Sequence, residues 1–416
     1  MTQIPSLPAR ILLLGAGELG KEITIAAQRL GCFVIAVDSY PNAPAMQVAD
    51  QSRVLDMSDE QALRDLLHHE TVDIVVPEVE AIATQVLAEV EGRHVAGGGQ
   101  LTVVPNAAAV QATMDRQRIR TLAARLPEVR TSLFRFASSA DEVKAALEFT
   151  GVPAFVKPTM SSSGHGQMRI TNADQAEQAW NTAQEGARAR TGRVIVEESI
   201  DFDCEITLLT VRWHDPTAPG GVRTSFCAPI GHRQVDGDYV ESWQPAEISE
   251  QARKSAQEMA LAVTQALADA GPDASRTWGL FGVEFFVKGD EVWFSELSPR
   301  PHDTGMVTMI TQDLSEFDLH VRAVLGLPCW VDLAHTGASA VVKSTRPIDH
   351  VRVNGVDQAL RVGLEKHGQV RVFGKPATHA GRRMGVTLAT GETAAQARMK
   401  ATEMASLITL EEADCS

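Results

Sequence analysis

Cysteine is scarce and scattered. The five residues Cys32, Cys204, Cys227, Cys329 and Cys415 form neither a CxxC pair nor a metal-ligand spacing, which argues against a disulfide framework and fits a reducing cytosol. No stretch stays apolar for the roughly 20 residues that a membrane helix needs. The opening run MTQIPSLPARILLLGAG passes straight into a glycine turn, so neither an export signal nor a membrane span is expected. Basic residues are outnumbered, 38 Lys and Arg against 53 Asp and Glu, for a formal net charge of -15. A chain of that sign repels phosphate backbones, so nucleic acid is not expected as its main partner, and small anions must be caught by focused clusters of cations. Internal repeats and low-complexity segments are absent as well. What remains is the composition of an ordinary soluble globular protein, 44% hydrophobic over 416 residues, with room for two or three domains.

The densest chemistry lies between Gly279 and Gly305, GLFGVEFFVKGDEVWFSELSPRPHDTG. Leu280 to Val287 and Val292 to Ser295 read as two strands joined at Gly289-Asp290, a hairpin with one acid on each arm, Glu284 and Glu296. A two-residue turn alone leaves the acids out of register; a longer loop or a bulge sets them opposite on one face. Facing carboxylates about 4 Å apart repel by roughly 4 kcal/mol at an effective dielectric near 20. A cation between them is then required, and hard oxygen ligands suit Mg2+. The alternative is a rim charge, Glu296 paired with Arg300, beside an edge-strand acid, Glu284.

Nearer the start, the strand Arg10 to Leu14 enters the GxGxxG turn Gly15-Ala16-Gly17-Glu18-Leu19-Gly20, a helical pattern covers Lys21 to Leu30, and Phe33 to Val37 closes on Asp38. Glu18 argues against a nicotinamide dinucleotide, because a carboxylate inside that turn repels a pyrophosphate. It could instead accept hydrogen bonds from an amine or hydroxyl; the alternative is an acid favoured at a helix N-terminus. Val72 to Val76 reads as a buried strand with Glu78 and Glu80 at its carboxyl end, where ligands collect. Glu78 could join Glu18 in facing a cationic ligand, whereas Glu80 is read as no more than a first-turn helix acid. Asn106 is read as the cap of one helix through Leu126, whose Arg116, Arg118 and Arg120 are expected mostly on a solvated face.

Lys157 ends a short strand just before Met160-Ser161-Ser162-Ser163-Gly164-His165-Gly166-Gln167. Such a loop offers N–H groups and hydroxyls to phosphate oxygens, or else is a plain hairpin tip. Val194 to Val196 ends in Glu197-Glu198, and Phe202 to Val211 carries Glu205. Beyond Leu325 a smaller β-rich unit places Lys375, Arg382 and Arg383 on two adjacent loops, an anion pocket or scattered surface charge.

A lysine before a Ser/Gly loop, a strand ending in paired acids, and a hairpin with two acids followed by an arginine, in that order, resemble the ATP-grasp superfamily. Within it, GAGELGKE, VPEVEAIAT, KPTMSSSGHGQ, EITLLTV, GHRQVDGDYVESWQP, FSELSPRPHDTGMVT and FGKP resemble the family of formate-dependent phosphoribosylglycinamide formyltransferases, over residues 11 to about 386. The resemblance implies an α/β and α+β chain in three parts. These are an open Rossmann-like parallel sheet (1–112), a two-lobed ATP-grasp domain (113–325, lobes about 121–200 and 201–325) and a small C-terminal β-rich domain (326–416).

It further implies that ATP is contacted by Arg116, Lys157, Ser162, Ser163, Gly164, His165, Gly166, Gln167, Glu197, Glu198, Ser199, Ile200 and Glu205, and that Glu284 and Glu296 hold Mg2+. Glycinamide ribonucleotide is implied to meet Glu18, Leu19, Glu78 and Asp303 at its amine end and Lys375, Arg382 and Arg383 at its phosphate. Lys157, Gly164, Arg300 and Asp303 are expected nearest the chemistry. The implied reaction is formylation of that ribonucleotide by formate through formyl phosphate, in purine biosynthesis, by a cytoplasmic homodimer. An ATP-grasp carboxylase or carboxylate–amine ligase is the alternative enzyme. A non-catalytic nucleotide binder and a dehydrogenase are the readings from other classes. One departure stands out: the family has lysine where this loop has His165, whose charge depends on pH.

Overall fold

The computed structural model describes residues 6–95, 99–160, 165–186, 192–235 and 238–413. Five parallel strands, β1 (Arg10–Leu14), β2 (Phe33–Asp38), β3 (Gln51–Val54), β4 (Ile74–Pro77) and β5 (Thr102–Val103), form one sheet in the order β3-β2-β1-β4-β5. Their near-continuous apolar sequences follow from burial on both faces. Ile11 and Leu13 share a core with the helix Glu18–Arg29, while Leu12 and Leu14 face the helices Glu60–His69 and Thr84–Val90. The strand order reverses between β1 and β4, so the Gly15–Gly20 turn and the Pro77–Glu80 loop leave adjacent strands at the crevice where such sheets bind ligands.

A second sheet of four antiparallel strands runs β6-β9-β7-β8, from β6 (Phe134–Ala137), β7 (Ala154–Pro158), β8 (Met168–Ile170) and β9 (Val194–Glu198). The helices Ala140–Thr150 and Ala176–Gly186 cover it through Val143, Leu147, Ala179 and Ala183.

The largest sheet takes in β10 (Cys204–His214), β11 (Val222–Phe226), β12 (Ile230–Val235), β13 (Asp238–Gln244), β14 (Gly279–Lys288), β15 (Glu291–Ser298) and β16 (Gly337–Lys343). After β17 (Val351–Asn354) come β18 (Gln369–Val372), β19 (Arg383–Thr390) and β20 (Thr409–Glu412). The order β15-β14-β10-β12-β13-β16-β19-β18 shows that the C-terminal strands extend the same sheet, because β13 pairs with β16. Residues 325/326 lie outside any strand, and the C-terminal strands have their own core around Ala397, Ala401 and Met404. The helix Glu250–Asp269 lies on the opposite side of β10, β14 and β15 from the cleft described below, burying Ala256, Ala260 and Val263 against Leu208, Val283 and Phe285.

Two elements depart from the sequence reading. The single helix from Asn106 is two: Asn106 caps Ala107–Met114, then Asp115 leaves helical geometry and caps Arg116–Ala123. The segment read as Phe202 to Val211 is displaced along the chain, since β10 runs from Cys204 to His214.

Gly20 is where the first helix meets its strand. A Cβ there would lie 2.5 Å from the Gly15 carbonyl oxygen and 3.3 Å from Leu13. Gly20→Ala is expected to destabilise the protein by about 1–3 kcal/mol, the usual range for overpacking. A lower urea midpoint at unchanged slope checks this; an unchanged midpoint contradicts it.

Candidate active site

The hairpin β14–β15 settles the register. Lys288 pairs with Glu291 across the two-residue turn, Phe285 pairs with Phe294, and Glu284 pairs with Glu296, so Ser295 is an extra residue bulged out of β15. The turn and the bulge, two options open to the sequence, occur together and set both carboxylates on one face.

Arg120 holds that bulge. Its guanidinium donates to the carbonyls of Phe294 (2.8 Å) and Ser295 (3.1 Å) and to the Ser132 hydroxyl, and it pairs with Glu197 at 2.7 Å. Lys157 meets the other Glu197 oxygen at 2.8 Å. Burial works to raise the Glu197 carboxyl, but Arg120, Lys157 and Arg116 outweigh it and bring it down to about 2. One turn before Arg120, Arg116 donates to the Pro158 carbonyl (3.1 Å) and pairs with Glu296 at 3.3 Å. The expectation of a solvated arginine face therefore fails for two of the three. Arg118 is 61% exposed, whereas Arg116 and Arg120 share the inward face at i, i+4 spacing.

Two histidines that sequence reasoning passed over flank Glu284. His302 Nε2 lies 2.9 Å from Glu284, and His232 Nε2 lies 4.0 Å from Glu284 and 3.7 Å from Glu205. Burial opposes ionisation of Glu284, but His302, then His232 and Lys157, prevail and bring it down to about 2. Glu205 is pushed up to about 7 by burial and by Glu284. Burial takes His232 down to about 4 against the pull of Glu284. The Nδ1 atoms of the two rings are joined through Thr304 and Thr207, with steps of 2.9, 2.8 and 3.3 Å. Both histidines sit in the GHRQ and SPRPHDTG blocks, yet no periodicity marks them, since their partners are far away in the chain.

At the other end of the cleft the expected acids and bases meet each other. Lys375 pairs with Glu18 at 2.8 Å, and Arg383 pairs with Asp303 at 2.6 Å and reaches Glu18 at 4.0 Å. Arg382 donates to the Ala377 carbonyl at 2.8 Å and to the Tyr40 hydroxyl oxygen at 3.4 Å. Glu78 is buried beside Gly15, and burial pushes its carboxyl well up. Arg300 pairs with Glu80, not with Glu296 as the rim-charge alternative has it. Asp38 accepts from the Ala16 N–H at 2.8 Å, so it braces the glycine turn.

Arg116, Arg120, Lys157, Glu197, Glu205, Glu284, Glu296, His302, Arg300, Glu80, Asp303 and Arg383 line one cleft of about 740 Å³, whereas Glu18, Glu78, His232, Lys375 and Arg382 are not among its lining residues. Leu19, Glu198, Ile200 and Gln167 reach it, and Phe202 stacks on Phe286 at 4.8 Å to form an apolar wall. Ser199 donates its backbone N–H to the Pro153 carbonyl at 3.2 Å. His165 is exposed and is not among the lining residues, and Gly166 is half-buried. Ser162, Ser163 and Gly164 lie outside the described residues.

A nucleotide-type parallel sheet, a small antiparallel lobe with an inward lysine, and a larger lobe presenting paired carboxylates define an ATP-grasp enzyme. The chain matches family models described as ATP-grasp domain (122–317), ribonucleotide synthetase preATP-grasp domain (9–114) and PurT, C-terminal (337–408). It is 53% identical over 395 residues to the formate-dependent phosphoribosylglycinamide formyltransferase of Erythrobacter litoralis, covering 94% of this chain and 96% of that one. The enzyme of the same name from Prochlorococcus marinus is 51% identical, over 97% and 98% of the two chains. A solved glycinamide-RNase-transformylase T from Mycobacterium tuberculosis superimposes with a TM-score of 0.77 at 33% identity, covering 96% and 100%. The chain belongs to the family of formate-dependent phosphoribosylglycinamide formyltransferases.

The loop that carries Asp303 rests on a buried acid. Glu316 accepts the His302 N–H at 2.9 Å, and its other oxygen has no partner among the described residues. A Cβ on Gly305 would lie 2.1 Å from the Glu316 carboxylate, so only glycine fits. Burial pushes Glu316 up to about 8. It therefore stays neutral in the folded protein while the unfolded chain ionises from about pH 4.5, and its contribution to stability, complete below that pH, falls as pH rises toward 8. Glu316→Gln is expected to flatten that decline by on the order of 3–5 kcal/mol. Urea unfolding at pH 5 and pH 8 reads it, and parallel pH curves for the two proteins contradict it.

Proposed function

We propose that this chain formylates glycinamide ribonucleotide with formate, converting ATP to ADP and phosphate. The observation that carries the reading is the facing pair Glu284 and Glu296, in a cleft whose far end holds Asp303 and Arg383, next to the pair Glu18 and Lys375. Carboxylates suit an amine and cations suit a phosphate, and a substrate bearing both spans such a site.

Among the described residues no three His, Cys, Asp or Glu side chains form a metal cluster. A facing carboxylate pair fits Mg2+, which takes one or two carboxylates and completes its shell with phosphate oxygens and water. Glu284 and Glu296 would hold it, and when bound it neutralises charge on the nucleotide's phosphate oxygens. Lys157 and Arg116 add positive charge around the transferring phosphoryl group, while the Phe202–Phe286 wall offers the base an apolar surface. A formate oxygen attacks the γ-phosphorus in line, giving formyl phosphate and ADP. The substrate amine, held by Glu18 and Asp303, then attacks the formyl carbon and phosphate leaves. Formate is a weak nucleophile, so alignment supplies much of the rate. The reading includes a homodimer in the cytoplasm and the three domains bounded at 112 and 325; among the described residues no helix is long and apolar enough to cross a membrane.

Formate-dependent ADP release with and without the ribonucleotide tests the reading, and bicarbonate in place of formate separates it from a carboxylase. Glu296→Gln is expected to lose most turnover with unchanged thermal unfolding; a near-normal rate at ordinary Mg2+ contradicts the metal role. Lys375→Ala and Arg382→Ala should each raise the ribonucleotide KM about 10- to 100-fold, as loss of a charge-assisted contact of about 1.5–3 kcal/mol implies, and leave the ATP KM alone. Equal weakening of both ligands would place these cations elsewhere.

A further inference from the structure

Formate offers a protein little besides a carboxylate, so its site needs a cation able to engage it. At the ribonucleotide end of the cleft Arg300, Arg383 and Lys375 each already face a carboxylate, of Glu80, Asp303 and Glu18 in turn, while Arg382 is turned to the Ala377 carbonyl and Tyr40. A carboxylate that comes to one of the three paired cations must share it with a resident acid, and like charges in contact in a half-buried cleft repel. Formate that takes the place of one resident carboxylate avoids that repulsion.

Glu80 is the carboxylate placed to leave. Its side chain is 35% exposed, against 11% for Glu18 and 25% for Asp303, and it lines the cleft from the loop after β4. Arg300 is 14% exposed and lines the cleft, as do its chain neighbours Ser298 and Pro301. In sequence it stands four residues after Glu296 and three before Asp303. That position lies between the carboxylate pair assigned to phosphoryl transfer and the acid assigned to the amine, where a formyl group has to be made and handed on.

Resting on the formyltransferase reading, we propose that Glu80 is a specificity-determining residue for the acid substrate. Its carboxylate occupies Arg300 in the free protein and yields that place to the carboxylate of formate. A guanidinium binds a planar carboxylate through two N–H groups, so formate can match Glu80 where a spherical anion such as chloride cannot. Glu80 thereby sets a threshold that excludes the commoner inorganic anions.

Steady-state ADP release is measured on wild type and Glu80→Gln with formate varied at saturating ATP and ribonucleotide, with and without added chloride. The proposal predicts a formate KM several-fold to tenfold lower in the variant, new inhibition by chloride at concentrations that leave wild type unaffected, and an unchanged ATP KM. A formate KM that rises or stays the same in the variant overturns it, because a residue that merely anchors Arg300 would weaken formate binding when removed. Unchanged chloride sensitivity overturns it equally. Glu80→Asp, whose shorter side chain draws back from Arg300, is expected to shift in the same direction and serves if the glutamine variant does not fold. Wild type that releases no ADP in response to formate contradicts both the formyltransferase reading and this one, whereas a formate-dependent wild type with a raised KM in the variant removes only the role of Glu80.

Discussion

Arg120 ties the cleft together. From one helix it satisfies the carbonyls at the Ser295 bulge, the Ser132 hydroxyl and the buried Glu197, which in turn fixes Lys157. The bulge matters because side chains alternate along a strand. Slipping β15 by one residue would turn Glu296 toward the helix Glu250–Asp269 and bring apolar residues to the cleft. With the bulge held, Val283, Phe285 and Leu297 stay in the core while Glu284 and Glu296 face each other on the open side. A buried charge pair of this kind is weak evidence for stability, and removing one partner is strongly destabilising. What Arg120 contributes here is geometry.

A chain of net charge -15 that handles ATP, formate and a phosphorylated substrate has to concentrate its cations. The cleft does so, and keeps them paired: Arg116 with Glu296, Lys157 with Glu197, Lys375 with Glu18, Arg383 with Asp303 and Arg300 with Glu80. Each of these five cations thus faces a carboxylate in the free protein. At Arg300 the proposed exchange of Glu80 for formate makes affinity depend on geometric fit to the vacated cation.

Local signals in the sequence carried far. The glycine turn after β1, the Asn106 cap and the hairpin punctuated at Gly289-Asp290 each depend on neighbours a few residues away, and all three are present. Glu284 and Glu296 were readable as a pair because their strands are adjacent in sequence, though the bulge that aligns them was not. The solvated reading fails for Arg116 and Arg120 because their carboxylate partners, Glu296 and Glu197, are far along the chain, and nothing local distinguishes an inward arginine from a solvated one. His232 and His302 share that difficulty, as their partner Glu284 comes from another strand. The small C-terminal unit has its own core, but its sheet continues that of the larger lobe through pairing between β13 and β16, segments nearly a hundred residues apart that no local signal joins.

Oxygen transfer from formate to phosphate follows directly from attack by formate on the γ-phosphorus, since the bond made in the first step is kept when the amine displaces phosphate from the formyl carbon. Turnover with 18O-labelled formate, ATP and glycinamide ribonucleotide, followed by mass analysis of the released phosphate, measures it. One 18O atom per phosphate is the predicted result. Unlabelled phosphate, formed at the same rate as ADP, would mean that water and not formate attacks ATP in this cleft.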